Sequence, residues 1–411
     1  MSSDRIIVMG AGHSGCKAVQ ALRKHGWTGG ITMVGKEGRV PCDRPPLSKA
    51  VLLGKKSHDA CAFFPMDWYE QNGIDLRLGR TVQRIDPSAR TVTLDGGDTL
   101  GYQKLLIATG ADLIALPIPG ADLPGVEGLR TPEQAARIAA SLQAGNRVVV
   151  IGAGFIGLEV AAAAVEKGCQ VELLEAAPHA LGRSLPAPVS DALIAFHRQK
   201  GVQIRFGARV AAIEGQARAE TVVLADGTRI ACDVIVYGIG VRPNTAIAEA
   251  AGLTVDNGIV VDAQLQTSAP DIYACGDVTR YFCDLFHQPL RLESWKSAEE
   301  QADAVARSMV GQPVRYGHVP WFWSNQFDLT LQVSGLPALG TRHVERAIGD
   351  SRLYLSTDDG GTTVGVSALG AVREIAMPMR VAKAFVEGRQ QIDPARFADA
   401  SVPLQALAGE P

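Results

Sequence analysis

One short pattern occurs twice in this chain and constrains its fold more than any other feature. RIIVMGAGHSG at residues 5–15 and RVVVIGAGFIG at residues 147–157 each join a β-branched apolar run to the motif GxGxxG. Each loop is followed by a helix-forming stretch and then by a second apolar run that leads to an acidic residue, Glu37 or Glu175. Strand, glycine loop, helix, strand and acid in this order form the βαβ unit that binds a dinucleotide. The sequence therefore predicts two such units.

The three glycines of each loop have separate tasks in a unit of this kind. The first allows the tight turn, the second lets the backbone approach a pyrophosphate, and the third lets the helix pack closely on the strand. The helix N-terminus then faces the anion. These glycines are Gly10, Gly12 and Gly15 in the first loop and Gly152, Gly154 and Gly157 in the second. Two dinucleotides in one chain favour hydride transfer between a nicotinamide and a flavin.

Three further stretches fit this interpretation. LLIATGA (105–111) and VIVYGIGVRPN (234–244) are apolar strands that end in small residues, as expected where a chain crosses between domains. TSAPDIYACGDV (267–278) puts Asp277 after a strand and a glycine, where its carboxylate could bond the polyol chain of a flavin. A helix N-cap is the alternative for Asp277. The small residues of LLIATGA that we expect to line the flavin are Ala108, Thr109 and Gly110.

These features predict an α/β protein with two Rossmann-like dinucleotide-binding domains of the glutathione-reductase type and a third domain. Residues 1–111 and 241–318 should form a discontinuous FAD-binding domain, and residues 112–240 the NAD-binding domain inserted in it. The glycine motifs stop near residue 319, where WFWSNQFDLTLQV alternates like a strand and MRVAKAFVEG is typical of a helix. Residues 319–411 should therefore form a small α+β interface domain.

Composition and cysteine spacing exclude several classes of function. A net charge of −3 gives no general attraction to nucleic acid or to an anionic membrane. No apolar run approaches the roughly 18 residues of a membrane-spanning helix, and the N-terminal residues carry no signal segment. The seven cysteines are odd in number and contain no CxxC pair, so a disulfide framework, a zinc site and an iron–sulfur site are not supported. A cytoplasmic location is expected.

The chain resembles the FAD-dependent ferredoxin reductases that serve bacterial cytochrome P450s and Rieske-type aromatic-ring dioxygenases. The resemblance covers almost the whole length and rests on GAGHSG, DRPPLSK, LLIATGA, VVVIGAGFIGLEVAAAA, TSAPDIYACGDV, RLESW and VPWFWSNQFDLTLQVSGL. RPPLSK together with PWFWSNQFDL is its specific part, because general flavin reductases share only the nucleotide loops. The resemblance implies that NADH reduces FAD by two electrons and that FAD passes them singly to a small [2Fe–2S] ferredoxin. A monomer and a homodimer both stay open.

The resemblance also implies roles for individual residues. It puts Trp323 near the flavin, towards the side where the ferredoxin docks. Around FAD it implies Ser14, Glu37, Arg44, Lys49, Val82, Arg130, Asp277 and Trp295. Around the nicotinamide nucleotide it implies Ile156, Glu159, Glu175, Gly240 and Glu293.

Lys49 and Glu159 also make physical sense as a pair. A lysine near the flavin supplies positive charge where hydride addition leaves negative charge. A partly buried lysine needs a partner, and Glu159, in the helix after the second glycine loop, is the expected one. The alternatives are a solvated Lys49 and a Glu159 that only complements its own helix dipole. We expect Lys49, Glu159 and Trp323 to be the catalytic residues.

Two rival functions share this architecture, and the first of them depends on Cys42. Dithiol chemistry needs a second nearby cysteine, and the next one is Cys61. Flavin NADH oxidases, peroxidases and coenzyme A-disulfide reductases use a single thiol at a comparable place, and Cys42 would then cycle through sulfenic acid. Proteins that resemble apoptosis-inducing factor share the two-dinucleotide architecture and use NADH-triggered dimerisation instead. Ferredoxin reduction is the favoured interpretation.

Glu175 favours NADH over NADPH. A 2′-phosphate within about 4 Å of this carboxylate would meet a repulsion of about 4 kcal/mol at an effective dielectric constant of about 20. Arg183 is the residue that could offset this repulsion, because an arginine nearby can accommodate a 2′-phosphate.

Overall fold

A computed structural model of the chain describes residues 4–407, which form two compact units. The segments of unit 1 are the chain up to Asp43, Asp59–Asp112 and Val241–His318. The segments of unit 2 are Arg44–His58, Leu113–Gly240 and the chain from Val319 onward. The division into three domains stays a prediction.

Within the described residues the secondary structure runs as follows. The α-helices are α1 (His13–Lys24), α2 (Met66–Gln71), α3 (Pro132–Ser141), α4 (Phe155–Glu166), α5 (Ala187–Gln199), α6 (Ala246–Ala250), α7 (Trp295–Met309), α8 (Val372–Glu387) and α9 (Pro394–Ala398). Short 3₁₀ helices span Pro45–Ser48, Asp59–Cys61, Pro337–Leu339 and Leu404–Leu407. The strands are β1 (Arg5–Met9), β2 (Gly30–Gly35), β3 (Ile74–Leu78), β4 (Val82–Asp86), β5 (Thr91–Leu94), β6 (Thr99–Gly101), β7 (Lys104–Ile107), β8 (Ala111–Leu113), β9 (Val126–Gly128), β10 (Arg147–Ile151), β11 (Gln170–Glu175), β12 (Gln203–Phe206), β13 (Val210–Glu214), β14 (Thr221–Leu224), β15 (Arg229–Ala231), β16 (Val234–Tyr237), β17 (Val241–Pro243), β18 (Ile259–Val261), β19 (Ile272–Ala274), β20 (Thr279–Cys283), β21 (Gln288–Leu290), β22 (Trp321–Gln326), β23 (Leu329–Gly335), β24 (Arg342–Ile348), β25 (Ser351–Thr357) and β26 (Thr363–Gly370).

The centre of unit 1 is a parallel sheet in the order β19-β7-β1-β2-β3. In β1 every residue after Arg5 is buried, as expected for a strand covered on both faces. In register, Val8 lies between Met33 of β2 and Leu106 of β7, and α1 packs against α7. Because the strands are parallel, their carboxyl ends meet at one edge, which is where open α/β sheets bind ligands. Two antiparallel sheets, β4-β5-β6 and β20-β21 with β18 added in parallel, complete the unit.

Unit 2 repeats this design with a parallel sheet in the order β12-β11-β10-β16-β9. Helix α4 is apolar on nearly every side, with residues 157–164 all buried. An all-round apolar helix needs cover on more than one side. It packs on β10, β11 and β16 and also against β22. Among its buried residues the exception to this apolar character is Glu159, which is only 4% exposed. The antiparallel sheet β13-β14-β15 lies in the same unit.

The C-terminal part of unit 2 is an antiparallel sheet in the order β22-β23-β26-β25-β24. Helix α8 packs across β23, β25 and β26. The predicted α+β character of this region is therefore confirmed, as are the two parallel sheets that follow from the two glycine motifs. Between residues 4 and 407 there is no helix that is both long enough and apolar enough to span a membrane.

Candidate functional site

The first glycine loop of unit 1 forms an open cradle at the start of α1. Gly10 has a φ of +118°, and a β-carbon there would overlap the carbonyl oxygen of Ala108. A β-carbon on Gly15 would collide with the carbonyl oxygen of Gly10, so both positions require glycine. Gly12 is the N-cap of α1 and has no side chain to cap the helix, and nothing stands within 4 Å of where its β-carbon would be. The N-terminus of α1 therefore has no side-chain cap and has open space beside Gly12, which fits a pyrophosphate.

The second glycine loop, in unit 2, repeats this geometry at the start of α4. Gly152 has a φ of +103° and donates its N–H to the carbonyl of Leu174 at 2.8 Å. A β-carbon on Gly157 would collide with the carbonyl oxygen of Gly152, whereas the space around Gly154 is open. Gly154 is an N-cap without a side-chain cap. Each of the two units therefore has a helix N-terminus without a side-chain cap that fits an anion.

Glu175 ends β11 and binds the backbone around the second loop. Its Oε2 accepts a hydrogen bond from the N–H of Ala153 at 2.7 Å, and its Oε1 accepts one from the N–H of Ala177 at 2.8 Å. Each carboxylate oxygen keeps a second lone pair that a ribose hydroxyl can use. Glu175 therefore fixes the loop as well as presenting an acceptor beside it.

Asp277 lies in unit 1 on a loop that a buried glutamine holds in place. Oε1 of Gln301, in α7, accepts hydrogen bonds from the N–H of Gly276 at 2.7 Å and from the hydroxyl of Thr279 at 2.6 Å. Gln301 is fully buried and donates from Nε2 to Ser297 Oγ at 3.2 Å. The side-chain amide of Gln301 therefore holds the residues on both sides of Asp277 in place.

Other predicted flavin contacts lie in the same unit. The indole N–H of Trp295 donates to Asp43 Oδ1 at 2.8 Å, and its ring lies 4.7 Å from the His13 ring. Thr109 donates its hydroxyl to the carbonyl of Asn244 at 2.9 Å. The other predicted flavin contacts in unit 1 are Ser14 (buried, in α1), Glu37 (two residues after β2), Val82 (the first residue of β4) and Ala108 and Gly110 (after β7). Glu293, which was predicted to contact the nicotinamide nucleotide, also lies in unit 1 and pairs with Arg291 at 2.7 Å. One parallel sheet positions these groups. The carboxyl ends of its strands are followed by the glycine loop, Glu37, Ala108–Gly110 and Asp277.

Lys49 and Glu159 form an ion pair in unit 2 between a half-buried lysine and a buried carboxylate. Nζ of Lys49 lies 2.7 Å from Oε2 of Glu159, and the two side chains are 22% and 3% exposed. Lys49 follows the 3₁₀ helix that Pro45 and Pro46 begin, which fixes the direction in which it leaves the loop. The predicted pairing of these two residues is confirmed.

Two hydroxyl groups complete the environment of the Glu159 carboxylate. Ser48 donates to Oε2, and Ser324 of β22 donates to Oε1 at 2.5 Å. Together with Lys49, three donors from two distant segments meet a charge that is nearly free of water. A buried carboxylate is tolerated when it is paired and hydrogen-bonded in this way.

The hydrogen bonds continue beyond Ser324 into the interior of unit 2. Gln326 donates from Nε2 to Ser324 Oγ at 2.9 Å, and Nε2 of His197 lies 2.6 Å from Gln326 Oε1. His197 is fully buried, and this burial lowers its pKa, so that the imidazole is neutral. Because the amide oxygen can only accept, the proton of His197 sits on Nε2. Every bond in this series therefore points its hydrogen towards Glu159.

The remaining predicted residues of unit 2 lie on several elements. Arg44 donates from Nη1 to the carbonyl of Arg130 at 2.5 Å, so these two predicted residues meet. Ile156, at the start of α4, is 44% exposed. The rings of Trp321 and Trp323 stack at 5.3 Å, so these two side chains share one face of β22. Gly240 has a φ of +115°, and Arg183 Nη2 lies 4.0 Å from where its β-carbon would stand.

Five residues of these arrangements escaped the sequence reasoning. They are Ser48, His197, Gln301, Ser324 and Gln326. Strand alternation puts Ser324 and Gln326 on the face of β22 opposite to the two tryptophans. That signal was available, but polar residues in alternation normally indicate a solvent-facing side.

The cysteines of the described residues are free thiols, and all seven are buried. Burial raises the pKa of the Cys16 thiol to about 11 and that of the Cys275 thiol to about 12, so both stay protonated at neutral pH. Cys42 is 6% exposed and forms an isolated β-bridge with Ala62. Among residues 4–407, no cluster of three or more potential metal ligands occurs.

Comparison with known proteins defines the class. Residues 4–302 match the family described as pyridine nucleotide-disulphide oxidoreductase, and residues 321–408 match the family described as reductase C-terminal. The chain therefore belongs to the pyridine nucleotide-disulphide oxidoreductases, and the predicted fold class is confirmed.

Individual relatives narrow this class. The chain is 37% identical, over 99% of its length and 100% of the relative, to the anthranilate 1,2-dioxygenase system ferredoxin–NAD(+) reductase component of Burkholderia cepacia. It is 36% identical to the putidaredoxin reductase of Pseudomonas putida, over 99% and 97% of the two chains. A solved structure of the covalent putidaredoxin reductase–putidaredoxin complex matches with a TM-score of 0.94 and 35% identity, over 99% and 98%. Within its family the chain thus groups with the ferredoxin reductases, and the stated resemblance is confirmed.

Replacement of Gln301 tests how the Asp277 loop is held. In Gln301→Leu the N–H of Gly276 loses its acceptor, at a cost of about 1–3 kcal/mol for this buried group, and the hydroxyl of Thr279 keeps only the carbonyl of Gly276 as an acceptor. We expect the FAD dissociation constant to rise at least about tenfold, since part of this cost disorders the loop that is predicted to contact FAD. Flavin titration of the stripped protein measures this, with exposed Gln143→Leu as the control. Unchanged FAD affinity in a folded Gln301→Leu chain would contradict the assignment.

Proposed function

We propose that this chain is an NADH-dependent ferredoxin reductase, which carries electrons from NADH through FAD to a small [2Fe–2S] ferredoxin. One observation carries the proposal: each of the two units has its own glycine loop and uncovered helix N-terminus at the edge of its own parallel sheet. Two separate dinucleotide cradles in a ferredoxin reductase relative match one FAD and one NADH.

The cradle of unit 1 holds FAD in this proposal. Bound FAD supplies the conversion of a two-electron hydride into single electrons. The N–H groups at the start of α1 bind the pyrophosphate, Glu37 accepts from the ribose, and Asp277 bonds the polyol chain. Further FAD contacts are assigned to Ser14, Arg44, Lys49, Val82, Ala108, Thr109, Gly110, Arg130 and Trp295.

The cradle of unit 2 holds NADH. Its pyrophosphate meets the N-terminus of α4 across Gly154, and its adenosine ribose hydroxyls donate to Glu175. Ile156 is exposed at the start of α4 and offers an apolar surface for the nucleotide. Gly240 and Glu293 are assigned to the same ligand on resemblance.

Lys49 has an electrostatic task. Glu159 holds its ammonium in one place, where it would stabilise the negative charge that hydride transfer brings to a bound flavin. Glu159 itself faces the nicotinamide nucleotide in this assignment. Trp323 lies towards the docking side for the ferredoxin.

The partner is proposed from the relatives. Their names include reductase components of dioxygenase systems and a reductase solved in complex with putidaredoxin. We assign this chain a ferredoxin of the same kind, with a P450 or a ring-hydroxylating dioxygenase as the terminal enzyme. NADH as electron donor and seven free thiols support a cytoplasmic location.

Electron acceptors separate this function from its rivals. The chain and NADH are mixed under nitrogen, ferricyanide, a [2Fe–2S] ferredoxin, oxygen or peroxide is then added in separate samples, and the reduction rates of these acceptors are compared. We expect fast ferredoxin reduction and slow oxygen and peroxide turnover. Cys42→Ser should keep at least about half of the ferredoxin rate, because electron transfer from FAD to a ferredoxin needs no thiol. Fast peroxide or oxygen turnover that disappears in Cys42→Ser would assign the chain to the single-thiol enzymes. Slow turnover with every acceptor, accompanied by an NADH-induced change of oligomeric state, would assign it to the binding class.

Cofactor preference tests the role of Glu175. We expect kcat/KM for NADH to exceed that for NADPH at least about a hundredfold, since repulsion of about 4 kcal/mol before screening opposes the 2′-phosphate. Arg183→Ala should leave kcat/KM for NADH unchanged and lower any NADPH activity. Steady-state rates with both nucleotides decide this, and a preference for NADPH would overturn the assignment.

A further inference from the structure

The hydroxyl of Ser324 is the link between the C-terminal sheet and the Lys49–Glu159 pair. Ser324 is 1% exposed and donates to Glu159 Oε1 at 2.5 Å, while Lys49 binds the other oxygen, Oε2, at 2.7 Å. The two oxygens of one carboxylate are thus held from opposite sequence regions. Rotation of the carboxylate would break both contacts together.

The orientation of the Ser324 hydroxyl is itself fixed. Gln326 Nε2 occupies an acceptor position of Ser324 Oγ at 2.9 Å, which leaves the hydroxyl proton free for Glu159. Gln326 is held in turn by His197, whose Nε2 lies 2.6 Å from Oε1. All three side chains are buried, at 0% to 2% exposure. Water therefore does not compete for these bonds.

This series does not have the chemistry of a proton relay. Its hydrogens all point the same way, towards the carboxylate, and an amide in the middle has no ready tautomer that takes up a proton on one side and releases it on the other. What such a series can do is restrict the rotation of the group at its end. Second-shell contacts of this kind hold reactive groups within the narrow range of geometry that catalysis needs.

We propose that Ser324, oriented by Gln326 and His197, is a positioning residue that fixes the Glu159 carboxylate and thereby the ammonium of Lys49. Its effect on hydride transfer rests on the proposed function, whereas its effect on Lys49 does not. Trp323 is the next residue along β22 and faces the other side of the strand. One short strand would therefore present an electron-transfer aromatic on one face and a positioning hydroxyl on the other.

Three variants and two measurements test this. The variants are Ser324→Ala, Ser324→Thr and Gln326→Met, and Ser367→Ala is the matched control, because Ser367 is a buried serine of the same sheet whose hydroxyl has no hydrogen-bond partner. The first measurement is the rate constant of flavin reduction at saturating NADH, with the NADH dissociation constant, by anaerobic stopped flow. The second is the acetylation rate of Lys49 by mass spectrometry, relative to Lys104 in the same sample. Lys104 is a suitable reference since its side chain is 20% exposed against 22% for Lys49.

A positioning role predicts a specific combination of results. Ser324→Ala should lower the reduction rate constant about tenfold with less than about a threefold change in NADH affinity, which corresponds to the loss of one hydrogen bond to a charged group. Acetylation of Lys49 should rise at least about threefold relative to Lys104, because the lysine is held less firmly. Ser324→Thr should recover most of both values, Gln326→Met should show smaller changes in the same direction, and Ser367→Ala should match the parent.

The opposite results would overturn the proposal. These are a parent-like reduction rate and parent-like Lys49 acetylation in folded Ser324→Ala, or equal losses in Ser324→Ala and Ser367→Ala. If Ser324→Ala does not fold, Gln326→Met decides by the same two measurements. A parent chain that NADH does not reduce refutes the proposed function alone, and Lys49 acetylation then still decides the positioning role.

Discussion

A carboxylate that is shielded from water needs a counter-charge and hydrogen-bond donors close to it. The structure of unit 2 depends on how these are supplied to Glu159. Its side chain is 3% exposed, and Lys49, Ser48 and Ser324 supply its donors. Removing one partner from a buried pair usually costs about 3–5 kcal/mol, because the other charge stays behind. The charge therefore ties three elements of unit 2 to one another: the loop after the 3₁₀ helix at Pro45–Ser48, helix α4 and strand β22. The contacts of the Glu159 carboxylate also hold Lys49 in one place, as a redox enzyme that uses this lysine requires.

The two glycine loops apply one steric solution in two units. In each, the first glycine allows the positive φ of the turn, the third lies against the carbonyl of the first, and the second leaves the helix N-terminus uncovered. An acidic residue lies at or just after the end of the second strand in each unit, Glu37 in unit 1 and Glu175 in unit 2. Glu175 accepts from the backbone of its own loop, so it contributes to the cradle before any nucleotide binds. Gln301 has the corresponding structural task for the Asp277 loop of unit 1.

Sequence reasoning reached the features that local patterns encode. Apolar runs, glycine spacing and the order of elements were sufficient for both parallel sheets and for the α+β character of the C-terminal region. The Lys49–Glu159 pair was also within reach, since a half-buried lysine needs a carboxylate and few were suitably placed. Ser324, Gln326, His197 and Gln301 were not, because a buried polar side chain looks in sequence like a solvated one until its tertiary partner is known. The roles of Arg44, Trp295 and Trp323 towards a flavin remain proposals, because they concern a bound cofactor rather than the fold of the chain.

The claim that Glu159 and Lys49 form an energetically coupled buried pair is tested most directly by a double-mutant cycle. Urea unfolding of the parent, Lys49→Met, Glu159→Gln and the double variant gives four free energies of unfolding. The structure predicts a coupling free energy of at least about 2 kcal/mol, with the double variant more stable than the sum of the single changes implies. Single changes that add within about 0.5 kcal/mol would contradict it, since independent sites add to that accuracy.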